Sequence, residues 1–318
     1  MQAPDFWRHK GGVSTFLAPL GLGYELGGKI RRFLTNTERV GVPVFCVGNL
    51  VAGGAGKTPL AIALYQYLQQ QGLKEIHFLS RGYGGSANGP LLVDAKRHSS
   101  IEVGDEPLLL ARVAPTWISR DRALGARAIV AAGAKAIILD DGFQNPGLFK
   151  DFSFLVFDGG YGIGNGRVMP AGPMRESLKD GLKRAQAAVM IGEDMTGLLP
   201  RLSGLPVLKA SLIPGPEAQE LKGQRLFAFA GIGRPEKFFK TLEEVEGELV
   251  AIKSFSDHHH YEDAEIMAIL SQAEKLKAMP ITTEKDAVRL SPSLRARVKT
   301  LSVRLVLKDI AVLDGLLK

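Results

Sequence analysis

The segment Gly48 to Thr58 (GNLVAGGAGKT) places four glycines, a lysine and a hydroxyl between an apolar run and a helix-like one. Residues of these types at this spacing suit a phosphate chain. Backbone N–H groups of Gly53, Gly54, Ala55 and Gly56 would point at the phosphates from a helix N-terminus. Lys57 would reach the outer phosphates of ATP, and the Thr58 hydroxyl would hold Mg²⁺. The strict pattern has glycine five residues before Gly56, and Val51 stands there instead. Such a loop needs a carboxylate at the end of another strand. Residues 136–139 (AIIL) followed by Asp140 and Asp141 supply two candidate metal ligands.

Further polar groups follow other apolar runs. Arg81 lies in SRGYGG after the run beginning at Ile76, Arg120 and Arg122 follow the run at Thr116, and Arg167 and Arg175 lie in a Gly/Pro-rich stretch over 164–176. Guanidinium groups at such positions suit anions. Asp105 and Glu106 open a helix-like segment, either as ordinary helix-start acids or with Asp105 taking a proton from an attacking hydroxyl. Three of the six histidines are consecutive, His258 to His260. Metal binding competes there with proton transfer by a histidine oriented by Asp257 and with a solvated turn.

Elements that would position these groups alternate along the chain. Strand-like runs at Val42–Val47, Ile76–Leu79, Thr116–Ile118, Ala136–Leu139, Phe152–Phe157 and Ala187–Ile191 are apolar throughout, and helix-like segments such as Pro59–Gln70 and Arg122–Ala132 intervene. That pattern predicts an α/β fold: a mostly parallel, P-loop-type sheet with helices on both faces, over about 42–216. The proline-rich stretch 198–216 reads as a hinge-like connection to a smaller α/β unit over 217–318, whose last helix has the option of packing back on the first unit. Before residue 42, an aromatic and basic segment with six bases against three acids suits an anionic membrane surface, the alternative being a helix packed on the domain with a solvated basic side.

Composition narrows the class. Of 37 glycines in 318 residues, 30 precede residue 201, and the formal net charge is +7. No Gly-X-Y period is present, which excludes collagen. A single cysteine, Cys46, excludes an intramolecular disulfide and a multi-cysteine metal site. The uncharged stretch 11–24 carries four glycines and a proline and no Ala-x-Ala site follows it, so neither a membrane span nor a signal peptide is expected. A cytoplasmic protein with no nucleic-acid partner and no obligate protein partner is the reading.

The motifs, taken in order, resemble the tetraacyldisaccharide 4′-kinases of lipid A biosynthesis. The resemblance runs through VGNL (47–50) with GGAGKTP (53–59), SRGYG (80–84), GDEP (104–107), LDDGFQ (139–144), GNGR (164–167) with PAGPMRE (170–176), FAGIGRP (229–235), DHH (257–259) and TTEKDAVRL (282–290). That family's loop also lacks the first glycine. It implies transfer of the ATP γ-phosphate to the 4′-hydroxyl of an acylated disaccharide 1-phosphate at the cytoplasmic face of the inner membrane, with a peripheral amino terminus. It implies Asp105 as general base paired with His258, Lys57 as the phosphate lysine, and Asn49, Arg81, Arg122, Gln144, Asn165, Arg167 and Arg175 as substrate or phosphate candidates. Asn145 departs from the histidine of many members, and no role is given to it. The competing classes are a P-loop switch or metallochaperone, and a kinase of a soluble small molecule.

Overall fold

A computed structural model describes residues 4–317. Thirteen strands form two sheets. They are β1 (Val44–Gly48), β2 (Ile76–Ser80), β3 (Leu91–Leu92), β4 (Thr116–Ile118), β5 (Ala136–Asp140), β6 (Phe152–Asp158), β7 (Ala187–Ile191), β8 (Val207–Pro214), β9 (Arg225–Ala230), β10 (Glu248–Ser254), β11 (Met279–Thr283), β12 (Lys299–Leu301) and β13 (Val303–Leu307). The larger sheet runs β13-β8-β7-β6-β1-β5-β2-β4-β3, and the smaller one β10-β9-β11-β12. The small sheet is all parallel, and in the large one only β3 and β13 are antiparallel to their neighbours.

Side chains alternate across the large sheet, as extended backbone requires. Cys46, Ile137, Leu139, Leu155 and Phe157 belong to one core, packed under Ala126 and Ile129 of the helix Arg122–Ala131. Val47, Ile138, Phe154 and Val156 belong to the other, under Leu60 and Leu64 of the helix Lys57–Gln70. Both faces are therefore buried, which explains why these strands read as continuously apolar. Because β1, β2, β4, β5, β6 and β7 are parallel, Gly48, Ser80, Ile118, Asp140, Asp158 and Ile191 all end at one edge.

The expected connection over 198–216 is corrected by the structure. Residues 207–214 are β8, hydrogen-bonded parallel to β7. Pro206 precedes the strand and Pro214 ends it, so neither removes a ladder donor from its middle. The expected extent of the smaller unit also changes. β13 leaves it and pairs antiparallel with β8, from Val303↔Pro214 to Leu307↔Ala210. The last helix, Ile310–Leu317, then buries Leu313 in the core beneath the Lys57–Gln70 helix.

Candidate active site

The turn after β1 is held by side chains as much as by glycine. Asn49 is fully buried and its Nδ2 donates to the Val51 carbonyl at 2.7 Å and the Gly53 carbonyl at 3.4 Å. Val51 pairs with Met174 as an isolated antiparallel bridge, and the Ala52 N–H donates to the Pro173 carbonyl at 2.8 Å. The neighbouring loop thus braces this part of the turn, where the strict pattern would use a glycine. Gly56 has φ +86°, a left-handed conformation that favours glycine. Lys57 and Thr58 begin the helix and are buried. Lys57 Nζ lies 3.7 Å from Asp141, and Thr58 Oγ1 donates to Asp140 Oδ2 at 3.0 Å.

The two acids after β5 differ in environment. Burial raises the Asp140 carboxyl above its ordinary range, the charge of Glu106 adds to this, and Lys57 opposes it. Its Oδ1 is buried with no hydrogen-bond partner. Asp141 is held below its ordinary range, burial being outweighed by Lys57 and Arg175. Arg175 Nη1 donates to Asp141 Oδ1 at 3.0 Å. Gln144 Nε2 donates to the Asn49 carbonyl at 2.9 Å and to Glu176 at 3.1 Å, linking the acid-bearing turn to the phosphate loop.

Across the same edge, Gly104 (φ +88°) turns the chain so that Asp105 starts the next helix, and a Cβ on that glycine would meet the Tyr83 carbonyl at 2.4 Å. The Asp105 carboxylate is 5% exposed. Its Oδ1 accepts the Glu106 N–H at 3.1 Å, and its Oδ2 lies 3.3 Å from His258 Nδ1. Arg289 completes the cluster: its Nε donates to Oδ2 at 3.2 Å and its Nη2 to the same oxygen. Burial alone would raise the Asp105 pKa; the His258 hydrogen bond and the Arg289 charge overcome it and hold the carboxyl far below its usual range. His258 is raised, chiefly by its bond to Asp105. It has φ +57°, an uncommon left-handed conformation for a side chain of this size. The other histidines diverge: His259 bonds Glu265 at 2.9 Å and stacks on Phe255.

Several contacts of the smaller unit were not assigned a role from sequence. Arg289 also donates to the Gly231 carbonyl at 2.7 Å and to Asp286 at 3.0 Å. Lys285 pairs with Glu106 at 2.6 Å. Arg234 reaches the Gly54 carbonyl at 3.1 Å and, with Lys237, pairs with Asp158. Asp158 ends an apolar strand as Asp140 does, a signal that could have marked it.

Two sequence candidates have other employment. Arg122 turns its Nη1 to the carbonyls of Ser119 and Arg120 at 3.0 Å each; burial and the nearby Arg81 charge lower its pKa to about 10. It shapes the turn after β4. Asn165 likewise bonds the carbonyls of Phe6 and Ala171 at 3.0 and 2.9 Å. Arg81 is exposed at the end of β2, in the loop whose Tyr83 ring lies 5.6 Å from that of His258. Arg167 points away from the phosphate loop, donating to Thr15 at 3.1 Å.

On the amino-terminal helix Ala18–Leu34, two of the three basic residues turn towards the domain, which narrows the expected basic membrane-facing side, and Arg31 stays exposed. Lys29 pairs with Asp180 at 2.8 Å and Arg32 with Glu176 at 3.4 Å. Its outer side is apolar, with Phe33 90%, Leu34 74% and Leu22 69% exposed, and Phe16 just before it 83% exposed. Among the described residues, no helix is long and apolar enough to cross a membrane.

A phosphate loop on β1, a β5 carboxylate bonded to its threonine, and a second carboxylate on the same edge define a P-loop phosphotransferase of the α/β class. Comparison with known proteins carries this to a family. Residues 13–318 match the family described as tetraacyldisaccharide-1-P 4′-kinase. Tetraacyldisaccharide 4′-kinase of Paramagnetospirillum magneticum is 56% identical over 309 residues, 96% of this chain and 94% of that protein. The Rhodospirillum centenum protein of the same name is 52% identical over 324 residues, covering 100% and 96%. The crystal structure of LpxK from Aquifex aeolicus in complex with ATP superimposes with a TM-score of 0.74 at 26% identity, covering 96% of this chain and 98% of that one. The chain belongs to the tetraacyldisaccharide 4′-kinase family.

Proposed function

We propose that this chain transfers the γ-phosphate of ATP to the 4′-hydroxyl of a tetraacylated glucosamine disaccharide 1-phosphate in lipid A biosynthesis. The carrying observation is that Lys57, Thr58 and Asp140 share one sheet edge with an Asp105 carboxylate held by His258 and Arg289 of the other unit. The loop N–H groups bind the phosphate chain, and Lys57 exchanges its Asp141 contact for the transferred phosphate. Asp105 receives the proton of the 4′-hydroxyl as its oxygen bonds phosphorus and the bond to the ADP oxygen breaks. A carboxylate held this acidic is a weak base, so its main work is to aim the hydroxyl while proton transfer comes late.

Thr58 Oγ1 and the unpartnered Asp140 Oδ1 would hold Mg²⁺. The ion would supply charge neutralisation between the outer phosphates. The exposed apolar side of the 18–34 helix suits the surface of a bilayer, with the chain peripheral at the cytoplasmic face of the inner membrane.

With labelled ATP, purified protein is expected to phosphorylate the lipid disaccharide and not soluble sugars. Lys57→Ala and Asp105→Ala are each expected to lower kcat by about 10²-fold or more. Phosphorylation of soluble sugars alone would overturn the substrate reading, and full activity in either variant would remove that residue from the mechanism.

A further inference from the structure

One stretch of the phosphate loop takes its support from the smaller unit. Asn49, Met174 and Pro173 brace residues 51–53 from within the large unit. Gly54, the next residue, is held from the other unit, where Arg234 Nη2 donates to its carbonyl at 3.1 Å. Gly233 lies over the same turn, since a Cβ on it would stand 3.8 Å from the Gly54 nitrogen. Packing does little to fix this stretch. A Cβ on Gly53 or Gly54 would meet nothing within 4 Å outside its chain neighbours, and glycine turns its dihedrals at little cost.

Arg234 is itself tightly held. The same Nη2 donates to Asp158 Oδ2 at 2.5 Å, and Lys237, in the first turn of the helix Pro235–Glu244, pairs with that oxygen too. Asp158 Oδ1 accepts the Gly160 N–H at 3.0 Å, so the carboxylate is anchored to its own turn. The guanidinium carbon lies 5.6 Å from the centre of the Tyr161 ring, within cation–π reach. A planar guanidinium fixed by a buried carboxylate presents its remaining hydrogens in set directions.

A trans peptide is planar, and its carbonyl and N–H point to opposite sides. Drawing the Gly54 carbonyl towards Arg234 therefore turns the Ala55 N–H the other way. We infer that Arg234 is a positioning residue for the nucleotide: by holding the Gly54–Ala55 peptide it aims the Ala55 N–H at the phosphate chain of ATP. The inference rests on the reading of this loop as the ATP site and deepens it. One phosphate donor of the large unit then depends on a side chain 180 positions later, in the small unit. In this role Arg234 touches neither the nucleotide nor the acceptor. Without it the other loop N–H groups still bind ATP, and the loss of one aimed donor corresponds to about tenfold in affinity.

The test compares full-length Arg234→Met, which keeps the apolar stem and loses the fork, with Arg234→Lys, which keeps a charged donor. Protein labelled selectively at glycine carbonyls and alanine nitrogens reports the Gly54–Ala55 peptide by NMR before any nucleotide is added. In Arg234→Met that signal is expected to shift and broaden. Kd and KM for ATP rise about tenfold, while kcat at saturating ATP and KM for the lipid acceptor hold. Arg234→Lys recovers most of the signal and of the affinity. Should Arg234→Met fail to fold, Arg234→Gln, shorter and uncharged, carries the same expectations. Unchanged ATP affinity overturns the inference. Weaker ATP binding with the peptide signal unmoved overturns it as well, because Arg234 would then act on the nucleotide directly. Failure of the unsubstituted protein to bind ATP would instead sink the reading of the loop itself.

Discussion

Asp105 accepts hydrogen bonds from its neighbour's N–H, from His258 and from Nε and Nη2 of Arg289, so its charge is engaged before any substrate arrives. Two predictions follow from that crowding. His258 is raised above 6.5 by its carboxylate partner. The stabilisation it brings is therefore complete below about pH 6.5 and is lost as pH rises through the higher folded value. The Tm gap between the parent protein and His258→Asn should accordingly narrow from acidic to alkaline pH; a gap that widens would refute the pairing. Arg289 is 3% exposed between Asp105 and Asp286. Removing it in Arg289→Ala strands two buried acids, and a loss of about 3–5 kcal/mol is expected by denaturant unfolding. Arg289→Lys should restore most of that stability yet still lower kcat, because an ammonium has no fork to hold Asp105 in place. Lys57, Thr58 and Asp140 were legible from sequence because a loop, a helix start and a strand end are local patterns. Arg289 was not, since the carboxylate it serves lies 184 positions earlier. Arg122 shows the converse limit: a guanidinium after a strand looks the same whether it meets a ligand or, as its Nη1 does, two carbonyls of its own turn.

At the scale of elements, the strands under both helical layers were readable from apolar runs, and the edge strands were not. β8 is only partly buried, with Lys209, Leu212 and Ile213 exposed, and it is bounded by prolines, so its sequence resembles a linker. β13 alternates and sits among the residues of the smaller unit in sequence, yet its partner is β8. Nothing local reports such a return. The amino-terminal helix teaches a related lesson, because Lys29 and Arg32 read as part of a membrane-facing side and in fact bond Asp180 and Glu176. What remains outward is a patch containing Phe16, Leu22, Phe33 and Leu34, more than scattered surface residues require. Phe16→Ser with Phe33→Ser should cut cosedimentation with vesicles several-fold while leaving Tm unchanged, since neither ring is buried; unaltered binding would assign the patch elsewhere.

For the molecule as a whole, the two sheets meet through Asp105–Arg289, Glu106–Lys285 and Asp158–Arg234, and Val288 adds an apolar contact with Val103, Leu108 and Ile118. Acids of the large unit and bases of the small one therefore form the seam, which is where a closing motion would complete the catalytic arrangement. The pairing of Val303 with Pro214 has a consequence of its own. Chain enters and leaves the small unit through neighbouring strands, so everything between them is a cassette spliced into a single edge. Replacing 216–301 by a short Gly/Ser turn should leave a soluble core that still binds ATP and phosphorylates nothing; aggregation of that core, measured by sedimentation, would show that the cassette is needed for folding. A twin-strand strap of this kind also restricts the cassette's freedom, because two parallel tethers resist twisting while permitting bending about the line that joins them. Rocking along one axis would then engage or release all three seam pairs together, as a clasp does.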